Sequence, residues 1–388
     1  MDIRAILLVG APEESSSSSG INAEVFAGCS MAFLPLLGRP ILQRIAERLR
    51  AAEICSISVL NAGESPAAWV EAARTTDVRW KDVPAAQIWR AAEDEFEHLV
   101  HAGAELVLLL RLGPYAEIEF DSLIQCHLDR RSHVTGVIAA DGPVDVFVLS
   151  SSRRNDAAFL LRNKLAKMRV ASTPFVTSGY VNRLSTPADL RRLTVDSLMQ
   201  KTGIQPVGAE IRPGVWVDKG ARLARNVRLV APCYIGASSK VKAGALITRG
   251  SSVEHHCVVD CASVVEASTL LPLSYVGIGL DVSHSVVGAN RIFSTKFAAE
   301  AQIEDPNLVA ELPSTSVVRT LSHAASLFAF VPRQILQSFR HPRLRPTQVD
   351  PGCTPSNEFD ASALAHPIAR DRSLSSGVVA GVRDYGNQ

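Results

Sequence analysis

Residues 211–271 read IRPGVWVDKGARLARNVRLVAPCYIGASSKVKAGALITRGSSVEHHCVVDCASVVEASTLL, and a large aliphatic residue returns at every sixth position. The eleven aliphatic positions are Ile211, Val217, Leu223, Leu229, Ile235, Val241, Ile247, Val253, Val259, Val265 and Leu271. Four positions after each of the first ten stands a small residue: Val215, Ala221, Val227, Cys233, Ser239, Ala245, Ser251, Cys257, Ser263 and Thr269. A double pattern with a fixed period indicates a repeat architecture.

A coil with three sides of six residues explains both halves of this pattern. Each side turns one bulky aliphatic side chain inward and leaves room only for a small one near the corner. Each fully buried aliphatic side chain contributes about 2 kcal/mol, so several stacked coils are needed for stability. A β-sandwich would instead show a period of two with irregular turns. The repeat predicts a parallel β-helix over 206–295, with a closing coil and cap between 274 and 291.

The first 205 residues alternate strand-like and helix-like segments. An apolar run over 3–9 ends in Gly10, and aliphatic residues at helical spacing follow Pro40 up to residue 52. Further strands are predicted at 54–60, 106–110, 134–139 and 144–149, and further helices at 91–101 and 121–131. Because strand, helix, strand order implies a parallel sheet, we predict an α/β domain over 1–205.

Composition and charge exclude several classes of protein. Forty Lys and Arg residues against 39 Asp and Glu leave a net charge of +1, which gives no electrostatic reason to expect a nucleic-acid partner. The seven cysteines are scattered and form no CxxC pair, a usage typical of a reducing compartment. No stretch approaches the roughly 18 apolar residues of a membrane span, and the N-terminal apolar run is too short for a signal peptide. We expect a cytoplasmic protein without a transmembrane segment.

Three segments of the first 205 residues resemble a known family. AILLVG (5–10), FLPLLGRPILQRIAERLRAA (33–52) and SGYVNRLSTPADLRRLTVDSLMQ (178–200) stand in the same order as three motifs of the NDP-sugar pyrophosphorylases, which are sugar-1-phosphate nucleotidyltransferases. Those motifs are the opening strand, the Pro-Leu-x-Gly-x-Pro start of a helix and the closing Gly-Tyr segment with Thr-Pro-x-Asp.

The repeat itself resembles the hexapeptide left-handed β-helix, which follows the catalytic domain in GDP-mannose pyrophosphorylase-like members of that family. The resemblance covers about residues 1–295. It implies a Rossmann-like nucleotidyltransferase domain, a left-handed parallel β-helix behind it and a homo-oligomer formed through the β-helix.

The family reaction transfers a nucleotidyl group from a nucleoside triphosphate to a sugar 1-phosphate and needs Mg²⁺ held by carboxylates. The resemblance makes Gly10, Ser15 and Gly20 candidates for nucleotide binding. It makes Gly179 and Tyr180 candidates for a sugar-phosphate pocket. The expected ligands are therefore a nucleotide or a sugar phosphate. Mg²⁺ is expected as a cofactor only if nucleotidyl transfer is retained.

The residues that the reaction requires are not matched. The loop after Gly10 has two glutamates near its start, Glu13 and Glu14, and no arginine, and the family's Pro-Lys pair aligns with Ser30-Met31. The first metal-binding aspartate should fall within 111–114, where no carboxylate occurs, and the second falls on Asn182 or Arg183. We expect a chain that keeps the fold with impaired or absent catalysis and no predicted metal ligands. Replacement by another carboxylate, Asp121 or Asp141, is the alternative.

Two other classes of function stay open. Hexapeptide β-helices also carry acyltransferases with a histidine as general base, which makes His255 and His256 the candidates for that reaction. A non-catalytic assembly or regulatory subunit is the third class. The extension at 296–340 has a helical apolar stripe at 320–339 for docking, and the composition of 341–388 predicts a disordered tail.

Overall fold

The computed structural model describes residues 1–10, 30–54, 56–62, 78–162 and 172–313. All of them belong to one compact unit, Met1–Ser326. The predicted helix at 320–339, the tail at 341–388 and the candidates Ser15 and Gly20 lie outside the described residues. The described part is a mixed α/β protein, with one large sheet in its first 205 residues and sheets of short parallel strands in the remainder.

The described residues of the first part form eleven strands, five helices and three short 3₁₀ segments. The strands are β1 Ile3–Val9, β2 Pro35–Leu36, β3 Arg39–Pro40, β4 Ser56–Asn61, β5 Val78–Asp82, β6 Leu106–Leu112, β7 Tyr115–Ala116, β8 Val134–Ala139, β9 Gly142–Ser150, β10 Thr173–Val176 and β11 Val181–Asn182. The helices are α1 Ile41–Ala51, α2 Ile88–His101, α3 Phe120–Asp129, α4 Arg154–Arg162 and α5 Pro187–Leu198. The 3₁₀ segments are Met31–Phe33, Ala85–Gln87 and Ser151–Arg153.

Seven of these strands form one sheet in the order β10, β8, β9, β6, β1, β4, β5. The pairs β1–β4, β1–β6, β4–β5 and β8–β10 are parallel, as strand and helix alternation predicts. The prediction of a parallel sheet is wrong for β9, which runs antiparallel to both β6 and β8. The physical reason is a tight hairpin, since Ala139 pairs with Gly142 and leaves only Ala140 and Asp141 in the turn.

Both faces of the large sheet are buried, which explains why its central strands are continuous apolar runs. Leu7 and its alternate neighbours pack with α1, α3 and α5, whereas Leu8 and its alternate neighbours pack with α2 and α4. The first of these clusters also contains Tyr234 and Leu271 from the second half of the chain. One face of the sheet therefore shares a core with the region behind it.

The second part, residues 209–311, is here called the three-sheet region. Its strands are β12 Ala209–Arg212, β13 Val215–Val217, β14 Arg222–Leu223, β15 Arg228–Leu229, β16 Cys233–Ile235, β17 Lys240–Val241, β18 Leu246–Thr248, β19 Ser251–Val253, β20 Val258–Val259, β21 Val264–Glu266, β22 Thr269–Leu270, β23 Ser274–Val276, β24 Asp281–Ser283, β25 Ser285–Gly288, β26 Arg291–Ser294, β27 Ala299–Gln302 and β28 Val309–Glu311. From β13 to β25, successive strands fall in three sheets in rotation. We call three successive strands one circuit.

The aliphatic positions stack as the period of six predicts. Val217 pairs with Ile235 and Ile235 with Val253, each partner eighteen positions later. The aliphatic positions from Leu229 to Val265 are between 0% and 8% exposed and belong to one core. Ile211 is an exception at 51% exposure, because it lies on β12, which pairs antiparallel with β13 before the parallel stacking begins.

The register changes by one residue after Val265, which corrects the last position of each predicted series. Val253 pairs with Leu270, only seventeen positions later, and Leu270 enters the core of the three-sheet region. Leu271 instead packs in the core shared with the large sheet. The reason is a shorter corner, because Ala267 alone stands where the previous circuit has both Arg249 and Gly250.

The small positions are selected by hydrogen bonding as well as by space. Ser251, Ser268 and Ser285 stand above one another, and each of the last two donates its backbone N–H to the hydroxyl of the serine before it, at 3.1 and 3.0 Å. Ser268 Oγ also lies 2.7 Å from Glu266 O and 3.1 Å from Val282 O, so its own proton has an acceptor. A buried serine at a corner thus joins one circuit to the next.

Replacing Ser268 by alanine is expected to lower the free energy of unfolding by about 1–2 kcal/mol, because the N–H of Ser285 is left buried without an acceptor. Urea unfolding followed by circular dichroism measures the change. Ser283→Ala is the matched control, since Ser283 is an exposed serine that also lies in the three-sheet region. Equal stability of the two variants would contradict the role given to the buried hydroxyl.

The last strands close the region by turning back. β25 is parallel to β22, after which β26 and β27 follow as antiparallel neighbours, and β28 pairs antiparallel with β23. The strands therefore continue to Glu311. Among the described residues, no helix has the length and apolarity needed to cross a membrane.

Candidate functional site

The parallel strands of the large sheet end at one edge, where ligands of open α/β sheets usually bind. Gly10 follows β1 there with a φ of 71°, a left-handed backbone that favours glycine. Asn61 and Asp82 end β4 and β5, and Asn61 Nδ2 donates to Asp82 Oδ1 at 2.9 Å. The same oxygen accepts from Trp80 Nε1 at 2.9 Å. This edge therefore contains a carboxylate, but one already held by two donors.

An ion pair occupies the first position at which a metal-binding aspartate is expected. Arg111 of β6 donates to Asp145 Oδ2 of β9 through Nε at 2.9 Å and Nη2 at 2.6 Å. Their side chains are 12% and 2% exposed. Asp145 was not predicted from the sequence, because the antiparallel strand β9 brings it to this edge from 34 positions away. Asp145 has a φ of 55° and lies where the pairing of β8 with β9 is irregular. This local irregularity sets the direction of its side chain.

A second arginine–aspartate pair lies at the other expected metal position. Arg183 Nε donates to Asp141 Oδ2 at 2.8 Å, and this hydrogen bond lowers the pKa of Asp141. Asn182 is buried, and its side-chain amide makes two hydrogen bonds of its own. It donates to Asp189 O and accepts from the backbone N–H of Leu184, both at 2.9 Å.

Neither alternative carboxylate is placed to replace the missing ones. Asp141 is paired with Arg183, and Asp121 is an exposed residue in the first turn of α3. Within the described ranges, no group of three or more His, Cys, Asp or Glu side chains could hold a metal ion. The described residues therefore do not fit the Mg²⁺ site that the family resemblance implies.

A pocket beside Arg111 is lined mainly by apolar side chains of β6, β9 and α3, together with the guanidinium of Arg48. Arg48 donates to Ile118 O at 3.0 Å and lies 3.6 Å from a carboxylate oxygen of Glu117. Both guanidinium groups at this pocket are thus held by acceptors within the protein. Their charge is largely balanced before any anionic ligand arrives.

Gly179 and Tyr180 make close contacts within the protein. A Cβ on Gly179 would come 1.8 Å from the carbonyl oxygen of Glu117, so only glycine fits there. Tyr180 accepts from the backbone N–H of Glu117 at 2.8 Å and donates its hydroxyl to Asp196 at 2.8 Å. Through these contacts, Gly179 and Tyr180 hold in place the segment that leads into α5.

His255 and His256 lie side by side with their Nδ1 atoms 3.1 Å apart. Both are half-buried. Burial lowers the pKa of His255 to about 4, with a smaller contribution from His256. His256 has a φ of 58°. Gly220 and Ser238 stand at the same corner of the two preceding circuits and also have a positive φ, so this backbone conformation is a property of the corner. One Nδ1 must donate to the other, which leaves only the Nε2 atoms for a substrate.

A buried carboxylate from the three-sheet region holds the segment that leads into α1. Glu254 is 1% exposed, and its oxygens accept from the backbone N–H groups of Leu37 and Gly38 at 2.9 and 3.0 Å. From the other side, Arg44 donates to the carbonyls of Leu36 and Leu37. Burial raises the pKa of Glu254 to about 7. The Pro-Leu-x-Gly-x-Pro segment is thus fixed by both parts of the chain.

A buried guanidinium makes the second contact between the two parts. Arg191 of α5 is 7% exposed and donates to the carbonyls of Arg249, Gly250 and Ala267, which are corner residues of the three-sheet region. Burial lowers its pKa to about 10. No sequence motif pointed to Glu254 or Arg191. The one available signal was an acidic residue at a position where the preceding circuit has Gly236.

Comparison of the sequence with models of protein families finds no match, and comparison with curated proteins finds none either.

Proposed function

We propose that this chain is an NDP-sugar pyrophosphorylase-like protein that has kept the family architecture and lost efficient nucleotidyl transfer. In this proposal the first part is a Rossmann-like domain, and the three-sheet region is a left-handed β-helix through which the protein forms homo-oligomers. The stacking of aliphatic positions over three sheets in rotation supports the β-helix. The protein acts in the cytoplasm, in nucleotide-sugar or polysaccharide metabolism.

One observation carries the proposal about catalysis. At both positions where the reaction needs a metal-binding carboxylate, the described chain has an arginine paired with an aspartate, Arg111 with Asp145 and Arg183 with Asp141. Transfer between a nucleoside triphosphate and a sugar 1-phosphate brings two polyanions together, and bound Mg²⁺ normally offsets their repulsion. A guanidinium opposes the binding of Mg²⁺, and its aspartate partner cancels the positive charge that could have replaced the metal.

The role left to such a protein is binding and assembly. The nucleotide or sugar phosphate is its proposed ligand, and the oligomer is its proposed functional form. Acyl transfer is supported less, because His255 is half-buried and its Nδ1 is engaged with His256. No contact among the described residues favours the binding of an acyl donor.

Incubation of the full chain with Mg²⁺, each nucleoside triphosphate and a panel of sugar 1-phosphates is expected to release no pyrophosphate above the rate without sugar. The assay is coupled pyrophosphate detection, with an active pyrophosphorylase in parallel to show that every component is competent. Enzymes ordinarily turn over at about 1–1,000 per second. Turnover in that range with any pair of substrates would refute the proposal, and a residual rate abolished in Asp145→Asn would identify the carboxylate used.

A further inference from the structure

A polar cleft separates the end of α5 from the first circuit of the three-sheet region. Its volume of about 400 Å³ falls within the range of small-molecule sites. The lining residues are Ser197, Leu198, Gln200, Thr202, Gly203, Ile204, Gln205, Pro206, Glu210 and Trp216. It differs from the sheet edge described above in position, in lining residues and in charge.

The wall formed by residues 199–208 is held in place from several sides. Gly203 N–H donates to Glu117 at 2.6 Å, the Gln205 carbonyl accepts from Arg44 at 3.1 Å, and Val207 N–H donates to Leu37 O at 3.1 Å. A cleft whose wall is fixed before binding loses little conformational entropy when a ligand enters.

The cleft offers an aromatic surface and hydrogen-bonding groups with spare capacity. Trp216 of β13 is half-buried and lines the cleft. Its indole N–H and the side-chain amides of Gln200 and Gln205 make no hydrogen bond with any described residue. Each amide can donate two hydrogen bonds and accept two, as ligand hydroxyl groups require. An indole beside such amides presents one apolar surface and several polar ones to the same ligand.

The charge of the lining selects among ligands. Among the described residues that line it, Glu210 is the one ionisable residue, and no lysine, arginine or histidine contributes. One of its carboxylate oxygens accepts from Gly214 N–H at 2.6 Å, which fixes the negative charge there. Phosphates and nucleotides are repelled by such a lining, whereas neutral hydroxyl groups can donate to it.

We propose that this cleft binds a neutral sugar, with a C–H face of the ring on Trp216 and its hydroxyls on Gln200, Gln205 and Glu210. The site is separate from the sheet edge and does not depend on the proposed function. A neutral carbohydrate is the class of ligand that combines an apolar ring face, many hydroxyl groups and no negative charge.

The test is titration of the full chain with D-glucose, D-mannose, D-galactose and N-acetyl-D-glucosamine, followed by ligand-observed NMR and calorimetry. At least one is expected to bind, and Gln205→Leu is expected to weaken it about fivefold through a lost hydrogen bond. Gln302→Leu, an exposed glutamine on β27, is the matched control and leaves binding unchanged. Trp216→Leu is expected to weaken binding about tenfold or more, with thermal melting to show that the variant is folded.

A charge comparison separates this site from the sheet edge. The 1-phosphate of the bound hexose should bind here more weakly than the free sugar, and Glu210→Gln should reduce that difference. Lack of binding by all four sugars up to 10 mM would overturn the proposal. So would binding that neither Gln205→Leu nor Trp216→Leu changes. Tighter binding of the sugar 1-phosphate, weakened by Arg111→Ala, would place the ligand at the sheet edge instead and would support the proposed function.

Discussion

Replacing Glu254 by glutamine is expected to remove a pH dependence of about 3 kcal/mol from the free energy of unfolding between about pH 4.5 and pH 7. Burial raises the pKa of this carboxyl group from 4.5 to about 7 in the folded chain. The folded state therefore binds the proton more tightly than the unfolded state. This stabilisation is complete below the unfolded pKa and is lost as the pH rises through 7, because the buried group must then ionise.

A neighbouring histidine has the opposite effect on the wild-type curve. The pKa of His255 is lowered to about 4 from 6.5, so its contribution to stability is present above pH 6.5 and is lost as the pH falls toward 4. The two slopes oppose each other between pH 4.5 and 6.5. The informative quantity is therefore the stability of the wild type minus that of Glu254→Gln at each pH. This difference should fall by about 3 kcal/mol from pH 4.5 to pH 7.5.

Urea unfolding of both chains at four pH values between 4.5 and 7.5 measures this difference. Glu266→Gln is the control, because Glu266 forms a more exposed ion pair with Arg249, whereas the N–H groups of Leu37 and Gly38 bind Glu254. Its difference from wild type should change little over the same range. A difference for Glu254→Gln that is the same at every pH would show that the carboxyl group does not titrate as its burial requires.

Replacing Arg191 by methionine is expected to lower the free energy of unfolding by about 3 kcal/mol, because three corner carbonyls lose a charged donor. Arg191 Nε donates to Ala267 O at 2.8 Å and Nη2 to Arg249 O at 3.0 Å, and Nη1 donates to Gly250 O. Removing the buried charge returns part of its desolvation cost, so the expected loss is smaller than three full charged hydrogen bonds would give.

Arg192→Met is the matched control for this variant, since Arg192 is the next residue of α5 and is exposed. Its free energy of unfolding should stay within about 0.5 kcal/mol of wild type. Differential scanning calorimetry of the two variants provides an independent measure of the same contrast. If both variants melted with the wild type, Arg191 would not be fixing α5 to the three-sheet region.

Much of the architecture was predictable because the relevant physics is local and periodic. Apolar runs such as Ile3–Val9 indicated strands buried on both faces, and the period of six placed the aliphatic residues from Leu229 to Val265 on one another. The change of register was not predictable, because Leu270 and Leu271 are equally apolar and either fits the pattern. The strand at 144–149 was predicted, but its antiparallel direction was not, because the short turn before Gly142 does not stand out in the sequence as a hairpin.

The candidate site was predictable only as a set of missing residues. Sequence motifs located the positions near Arg111 and Arg183, but not their partners, because Asp145 and Asp141 come from another strand and another turn. Glu254 and Arg191 could not be found by motif, since both bind backbone groups rather than side chains of a recognisable type. Contacts of that kind follow from the packing of the two parts, which a local pattern does not contain.

The short corner at Ala267 has a consequence for how related chains should be aligned. Because one residue there replaces two, strand pairing continues undisturbed while partners in the later circuits stand seventeen positions apart and no longer eighteen. An alignment that enforces a constant spacing of six would assign the interior residues Val276 and Val282 to the surface and place their outward neighbours inside. Gaps in such alignments therefore belong at the corners, and a gap placed within a side would misassign everything after it.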